Sequence, residues 1–240
     1  MQLQILDTGC ASAEENMRLD QELLSDLSPE GDPILHLYEW HQGSATYGHF
    51  ADPSLLLDLE GIEKEGIKLA KRPTGGGVIF HDWDFAFSLL VPSKNRFFSL
   101  NSLENYGFVN GIVSLTVKNF LEEEIDLNLI KEDKTPYDTL CARFCMATPT
   151  KYDVVSQDKK IAGAAQRKCK QGFLHQGSIA LLLPPETVLT AVLKKNSLVR
   201  EAMEAYTFPL LEKKKSDIHS ARKKLKNLLI HYVTNAFSQT

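Results

Sequence analysis

Several features are scarce in this 240-residue sequence, and each scarcity excludes something. No apolar run approaches the roughly 20 residues that a membrane-spanning helix needs; even Ile179–Pro185 is only strand length. There is no surplus of positive charge: 27 Lys and Arg stand against 31 Asp and Glu, a net −4, which argues against broad nucleic-acid binding. The four cysteines, Cys10, Cys141, Cys145 and Cys169, include no CxxC pair, and no histidine near Cys141 and Cys145 completes a zinc set. Free thiols in a reducing compartment and no metal site are therefore expected. The N-terminal segment MQLQILDTGC lacks the basic start and continuous apolar stretch of a secretory signal, so the expected location is cytoplasmic. Neither internal repeats nor a low-complexity linker divides the chain. With 43% hydrophobic and 24% charged residues, it reads as one compact domain over 1–240, whose part from about 186 to 240 is helical and forms no separate accessory domain.

What is present alternates between the two secondary-structure periods. Ser12 and Glu15 have capping-box spacing, and Met17, Leu19, Leu23, Leu24 and Leu27 place an amphipathic helix near 13–27. Its polar residues Asn16, Arg18 and Asp20 are expected on a solvated face. Ile34–Trp40 alternates as a strand, and a turn at His41–Ser44 leads to a second strand at Ala45–His49, together read as a hairpin. Asp52-Pro-Ser opens a helix at 53–64, and Gly66 precedes a strand at Ile67–Arg72. Strands follow at Val78–His81 and Phe85–Val91, then a helix from Asn101 or Ser102 to about Leu121. Three strands come next, at Tyr152–Ser156, Lys160–Gln166 and Phe173–Leu183, with polar turns between them. Helices at about 186–195 and 216–237 complete an α+β pattern without βαβ units.

The segment Pro73-Thr-Gly-Gly-Gly77 stands between two strands, where glycine costs entropy and offers no side chain to pack. Glycine amides free of Cβ shielding can approach a ligand's carbonyl or phosphate oxygens, and Lys71, Arg72 and His81 add donors beside them. A bulged turn with scattered charges explains the glycines alone equally well. The wider stretch, Lys-Arg-Pro-Thr-Gly-Gly-Gly-Val-Ile-Phe-His-Asp at 71–82, resembles the RRxxGGGxVxHD signature of the lipoate-protein ligase and octanoyltransferase superfamily. It is neither a Walker loop nor a Rossmann fingerprint. Biotin ligases share the ancestral fold, but their GRGR-type loop is absent. Asp158-Lys-Lys-Ile-Ala-Gly-Ala-Ala-Gln-Arg167 and Gly172-Phe-Leu-His-Gln-Gly-Ser-Ile179 resemble a second block of the same superfamily, so the likeness spans roughly 6–183.

The resemblance implies a curved, mainly antiparallel sheet flanked by helices, like a biotin/lipoate protein ligase catalytic domain. It implies Lys160 as the essential lysine, with Lys159 solvated. An acyl-adenylate would be bound by Lys71, Arg72, Thr74, Gly75, Gly76, Gly77, His81, Asp82, Gly163, Gly177 and Ser178, with His81 and Asp82 orienting the loop. The implied activity is attachment of lipoate or octanoate to a lysine of lipoyl domains, in 2-oxoacid dehydrogenase E2 subunits or the glycine-cleavage H protein. The first reading is a lipoate-protein ligase acting through an acyl-adenylate, with an octanoyl or lipoyl transferase as the alternative. Ligases of the superfamily carry the complete glycine triplet, which favours activation by ATP with Mg²⁺. Cys145, however, lies seven residues before Tyr152, the spacing of the nucleophile in one branch of cysteine-dependent transferases, which take the acyl group from a carrier thioester. The chain also lacks room for the accessory domain of two-domain ligases, which points to a separate accessory subunit or to an acyl carrier protein. An inactive acyl-binding protein is a third reading.

Remaining groups admit plain explanations. Lys94 and Arg96 suit a solvated loop as well as a phosphate contact. His175 suits a hydrogen-bonded strand position as well as a ligand contact. Lys213, Lys214, Lys215, Arg222, Lys223, Lys224 and Lys226 form a basic run that would steer an acidic acceptor domain or simply make a solvated helix face. Nucleic acid and membrane are not expected partners.

Overall fold

The structure is a computed structural model that describes residues 2–211 and 217–238. Among the described residues, ten strands form two sheets. The larger contains β1 (Gln4–Ala11), β2 (Ile34–Trp40), β6 (Asp84–Pro92), β7 (Asn128–Leu129), β8 (Val154–Ser156), β9 (Lys159–Lys168) and β10 (Gly172–Ala180), in the order β1-β2-β6-β10-β9-β8-β7. Its pairs are antiparallel except β1 with β2. The smaller sheet is β4 (Lys68–Lys71), β3 (Ser44–Tyr47) and β5 (Val78–Phe80), in the order β4-β3-β5. The expected α+β architecture, a mainly antiparallel sheet with flanking helices, is the one observed.

Helices α3 (Ser102–Leu121) and α6 (Ile218–Ser238) cover one face of the large sheet. Because strand side chains alternate between faces, Leu35, Leu37, Phe85, Phe87, Phe173 and Ile179 point there and meet Val109, Val113, Val117, Leu225, Leu229 and Val233. Burying each such side chain contributes on the order of 1.5–3 kcal/mol. The opposite face carries the alternate set, Tyr38, Trp40, Ala86, Ser88, Gln176 and Ser178, beneath α1 (Ala13–Asp26) and the small sheet.

Four sequence expectations change. The two strands read as a hairpin join different sheets: β2 pairs with β1 and β6, whereas β3 pairs with β4 and β5. Gly43, with φ +73°, turns the chain between them, and its N–H donates to both Asp82 carboxylate oxygens. The expected helix at 53–64 is a 3-10 turn at Pro53–Leu55 followed by α2 (Leu59–Lys64), because Asp58 caps a new start through Glu60 and Gly61. The expected helix at 186–195 stops at Val192 (α4, Glu186–Val192), and a further helix, α5, spans Val199–Tyr206. Finally, Asn16 and Asp20 are buried, not solvated, while Arg18 is exposed and pairs with Glu22. Strand β1 escaped the sequence pattern because its side chains are mostly exposed. Among the described residues, no helix is long and apolar enough to cross a membrane.

Candidate active site

The glycine loop connects β4 to β5, and two of its glycines are required by what packs on them. A Cβ on Gly77 would stand 2.0 Å from the Arg143 carbonyl oxygen. Gly76 has φ +91°, and a Cβ there would lie 3.0 Å from Arg72 Nη2 and 3.4 Å from Cys145 Sγ. The close approach seats the 143–145 segment against β5, where the Cys145 N–H donates to the Val78 carbonyl at 2.9 Å. Gly75, by contrast, has open space around it. Part of the triplet therefore serves to place Cys145.

Arg72 ties these pieces together. It is buried; Nη2 donates to the carbonyls of Gly75 (3.0 Å) and Gly77 (2.9 Å) and stands 3.6 Å from Cys145 Sγ. Its Nη1 donates to Thr46 Oγ1 at 2.8 Å, which in turn lies 2.8 Å from His81 Nε2. His81 Nδ1 is 2.9 Å from Asp84 Oδ2, which also accepts from Ser178 Oγ at 2.6 Å. The His81 ring stacks on Trp40 at 3.9 Å. His81 and Ser178 thus hold the loop and the cavity wall in one hydrogen-bonded chain.

Lys160 reaches the same place from β9. That strand has one extra residue, Ile161, opposite the Val154–Val155 step of β8, a bulge of the kind that re-aims a side chain. The Lys160 ammonium lies 2.8 Å from Asp153 Oδ2 and donates to the Cys145 carbonyl at 2.7 Å. Asp153 Oδ2 also accepts from the Thr150 N–H (2.7 Å) and Oγ1 (2.9 Å). Gly163 makes the room, since a Cβ there would lie 2.5 Å from Lys160 Nζ. Neither Asp153 nor Gln176 was a sequence candidate. Gln176 accepts from Thr74 Oγ1 at 2.6 Å and donates to Asp20 Oδ2 at 2.6 Å, and Asp20 is bonded to His36 and Ser88.

These groups surround a cavity of about 300 Å³. Met17, Tyr38, Trp40, Ile79, Ala86, Phe144 and Met146 give it apolar walls, and Arg72, Gly76, Gly77, His81, Cys145, Lys160, Gly163, Gly177 and Ser178 are in its lining. An apolar chain with one reactive polar end fits such a lining. Lys71, Thr74, Gly75 and Asp82 are not in the lining. Lys71 is exposed on β4, Thr74 supports Gln176, and Asp82 braces Gly43, with burial pushing its carboxyl pKa up.

The other candidates lie elsewhere. Lys94 and Arg96 are exposed, with the Arg96 guanidinium 4.6 Å over the Phe97 ring. His175, one residue out of phase with Gln176, faces the helices; Gln166 lies 2.8 Å from its Nδ1, and burial pushes its pKa down to about 3. Of the basic run, Lys213–Lys215 lie outside the described residues. Arg222 donates to the carbonyls of His81, Asp82 and Asp84, Lys224 pairs with Glu122 and Lys226 with Asp7, so these three cations bind the chain itself. Among the described residues no group of three His, Cys, Asp or Glu side chains could hold a metal ion.

Known proteins resemble this chain in sequence and in fold. Octanoyltransferase LipM of Geobacillus kaustophilus is 28% identical over 202 residues, which cover 83% of this chain and 72% of the relative. A Thermoplasma acidophilum bi-partite lipoate protein ligase, described with its E2 lipoyl domain, has a TM-score of 0.70 and 22% identity over 99% of this chain and 84% of its own. A T. acidophilum protein solved with bound lipoic acid has a TM-score of 0.74 and 23% identity, covering 99% of this chain and 86% of that one. At such identities the structural likeness speaks for the fold. The glycine loop, the buried lysine and the apolar cavity all fall within residues 12–228, which match the lipoyl protein ligase A/B catalytic domain, and the chain belongs to that family.

Proposed function

We propose that this protein transfers an octanoyl or lipoyl group from a carrier thioester, through Cys145, to a lysine of a lipoyl-domain acceptor. The observation that carries this reading is the position of Cys145: its Sγ stands against Gly76 and Arg72 in the wall of the cavity that Lys160 also lines. The Cys145 thiolate attacks the carrier thioester carbonyl, forming a new carbon–sulfur bond; the carrier sulfur leaves and takes up a proton. In the second half, the acceptor amine attacks the Cys145 thioester, the carbon–nitrogen bond forms, the carbon–sulfur bond to Cys145 breaks, and the departing cysteine sulfur takes up the proton lost by nitrogen. No oxidant or reductant is required.

Similarity to a protein named octanoyltransferase supports this choice of donor over ATP and Mg²⁺. The glycine triplet, which on sequence grounds favoured an adenylate, has another use here, since Gly77 makes room for the segment bearing Cys145. An E2 lipoyl domain or an H protein is the acceptor class, by analogy with the archaeal ligase described with its E2 lipoyl domain. Intact-mass analysis tests the reading. With octanoyl–acyl carrier protein and an apo lipoyl domain, wild type should acquire an octanoyl adduct on Cys145 and pass it on, while Cys145→Ser should lose acceptor modification by at least about 100-fold. Full activity of Cys145→Ser would rule out the nucleophile.

A further inference from the structure

Arg222, Lys224 and Lys226 of the basic run are committed to carbonyls and carboxylates of the chain itself. Uncommitted cations lie elsewhere, beside the opening of the cavity. Gly76, Asp133, Ala142 and Thr150 are the exposed residues of its lining, so they mark where it meets solvent. Arg143 directly follows Ala142 and is itself exposed, two residues before Cys145.

A short turn is braced on the same rim. A Cβ on Gly48 would stand 2.0 Å from the Gly76 carbonyl oxygen, the Gly48 N–H donates to the Gly77 carbonyl at 3.2 Å, and the His49 N–H donates to the Thr74 carbonyl at 2.7 Å. The Ala51 N–H closes the turn on the Gly48 carbonyl at 3.0 Å, which leaves Phe50 at its tip, 94% exposed. A single exposed apolar side chain is ordinary, but this one has company. Leu55 and Leu59, on the same segment, are 44% and 50% exposed. Lys194 is tied to that segment by its N–H, which donates to the Leu56 carbonyl at 3.0 Å, and both Lys194 and Lys195 are exposed. Asp52 links the cations: its carboxyl pKa is lowered chiefly by the Ser54 hydroxyl and N–H, and Lys194 and Arg143 are both near enough to lower it further. Among the described residues none of Arg143, Lys194 and Lys195 forms an ion pair.

An aromatic anchor beside uncompensated positive charge fits a partner whose contact surface is apolar at its centre and rich in carboxylates around it. The proposed reaction needs a macromolecule that brings a thioester to Cys145 Sγ, and Gly76, on which the turn is braced, is the rim residue that stands against that sulfur. We propose that the Phe50 turn, with Arg143, Lys194 and Lys195, is the docking surface for the acyl carrier protein, whose acidic face meets the cations while its acyl thioester enters past Gly76. The proposal rests on the Cys145 reading.

Single turnovers over a range of donor concentrations test it, with the Cys145 adduct followed by intact mass. Wild type, Phe50→Ser, the double variant Arg143→Ala/Lys194→Ala, and Lys118→Ala, which removes an exposed cation at the end of α3, each receive octanoyl–acyl carrier protein or octanoyl-pantetheine. The second donor has the same thioester and no carrier. With the carrier, half-saturation in Phe50→Ser and in the double variant should need about 10-fold more donor or higher, with the saturated rate within a few-fold of wild type. Added salt should weaken carrier use by wild type more steeply than by the double variant, because it screens the charges that variant lacks. With octanoyl-pantetheine every variant should match wild type, as should transfer from a preformed Cys145 adduct to the apo lipoyl domain, and Lys118→Ala should match it throughout. Equal losses with both donors would overturn the proposal. So would a defect confined to transfer onto the lipoyl domain, which would give the surface to the acceptor, or dissociation of a wild-type dimer by Phe50→Ser, which would give it to a second copy of the chain. If wild type modifies the acceptor without a Cys145 adduct, the Cys145 reading fails and takes the docking surface with it; if wild type and both patch variants form the adduct from the carrier equally well, the docking surface alone fails.

Discussion

An ammonium with 4% exposure, as at Lys160, is tolerable only where anions and carbonyls replace its water. Asp153 and the Cys145 carbonyl do so, and in consequence the charge is tied to the backbone of the residue that bears the thiol. His175 shows the opposite solution, a titratable group kept neutral by burial. Its pKa is pushed down to about 3, whereas in the unfolded chain it titrates near its ordinary value of about 6.5. Below that value the unfolded chain binds the extra proton, so this residue's contribution is complete above about pH 6.5 and is lost as the pH falls toward 3. His175→Phe should therefore flatten the acid limb: the fall in urea-unfolding free energy between pH 7.5 and 4.5 should shrink by about 3 kcal/mol relative to wild type. An unchanged fall would show that the ring is not held neutral. The sequence blocks drew attention to Lys160 and His175 alike, but only the alternation of β10 separates the faces, putting Gln176 and Ser178 toward the cavity and His175 away from it. Asp153 and Asp20 were hidden for a different reason. An aspartate after Lys-Tyr, or on the polar stripe of a helix, reads as solvated until its partner arrives from a distant part of the chain.

At the scale of elements, the site depends on irregular steps between regular strands. The bulge at Ile161 carries Lys160 to the side of Gly163, and the packing of Gly77 on Arg143 carries Cys145 to the cavity. Gly77→Ala should displace the Cys145 segment and lower acyl transfer by about 100-fold, the scale of a 1 Å misplacement at a reacting centre. Gly75→Ala, with nothing within 4 Å of the added Cβ, should stay within a few-fold. Steady-state transfer assays on the two variants check the pair, and equal losses would contradict this division of labour within the triplet. Much of the fold was legible at this scale. The capping box of α1, the Asn101 cap of α3 and the alternation of β6 and β10 are local signals, and all mark the elements observed. The split of β2 from β3 was not legible, because a turn after Trp40 suits a hairpin as well as a change of sheet, and the choice is made by pairing with β6, β4 and β5. Nothing in β9 alone announces the bulge, which is a mismatch with its neighbour β8.

Across the whole molecule, remote segments converge on one cavity: α1, β2, the glycine loop, the 143–150 segment, β9 and β10 all contribute to its lining. The C-terminal helix α6 joins this assembly from behind, where Arg222 grips the carbonyls of His81, Asp82 and Asp84, the turn that follows the glycine loop. The described cations of the basic run are thus largely committed to the chain's own backbone and carboxylates. The family motif and the apolar cavity agree on acyl chemistry, and the placement of Cys145 bears on the donor. The most direct measurement supplies wild type and Cys145→Ser with an apo lipoyl domain, giving each either octanoyl–acyl carrier protein or free octanoate with ATP and Mg²⁺, and weighs the acceptor by mass spectrometry. The account predicts acceptor modification by wild type from the carrier thioester without ATP, and none by Cys145→Ser. Modification that requires ATP, releases AMP and survives Cys145→Ser would contradict it.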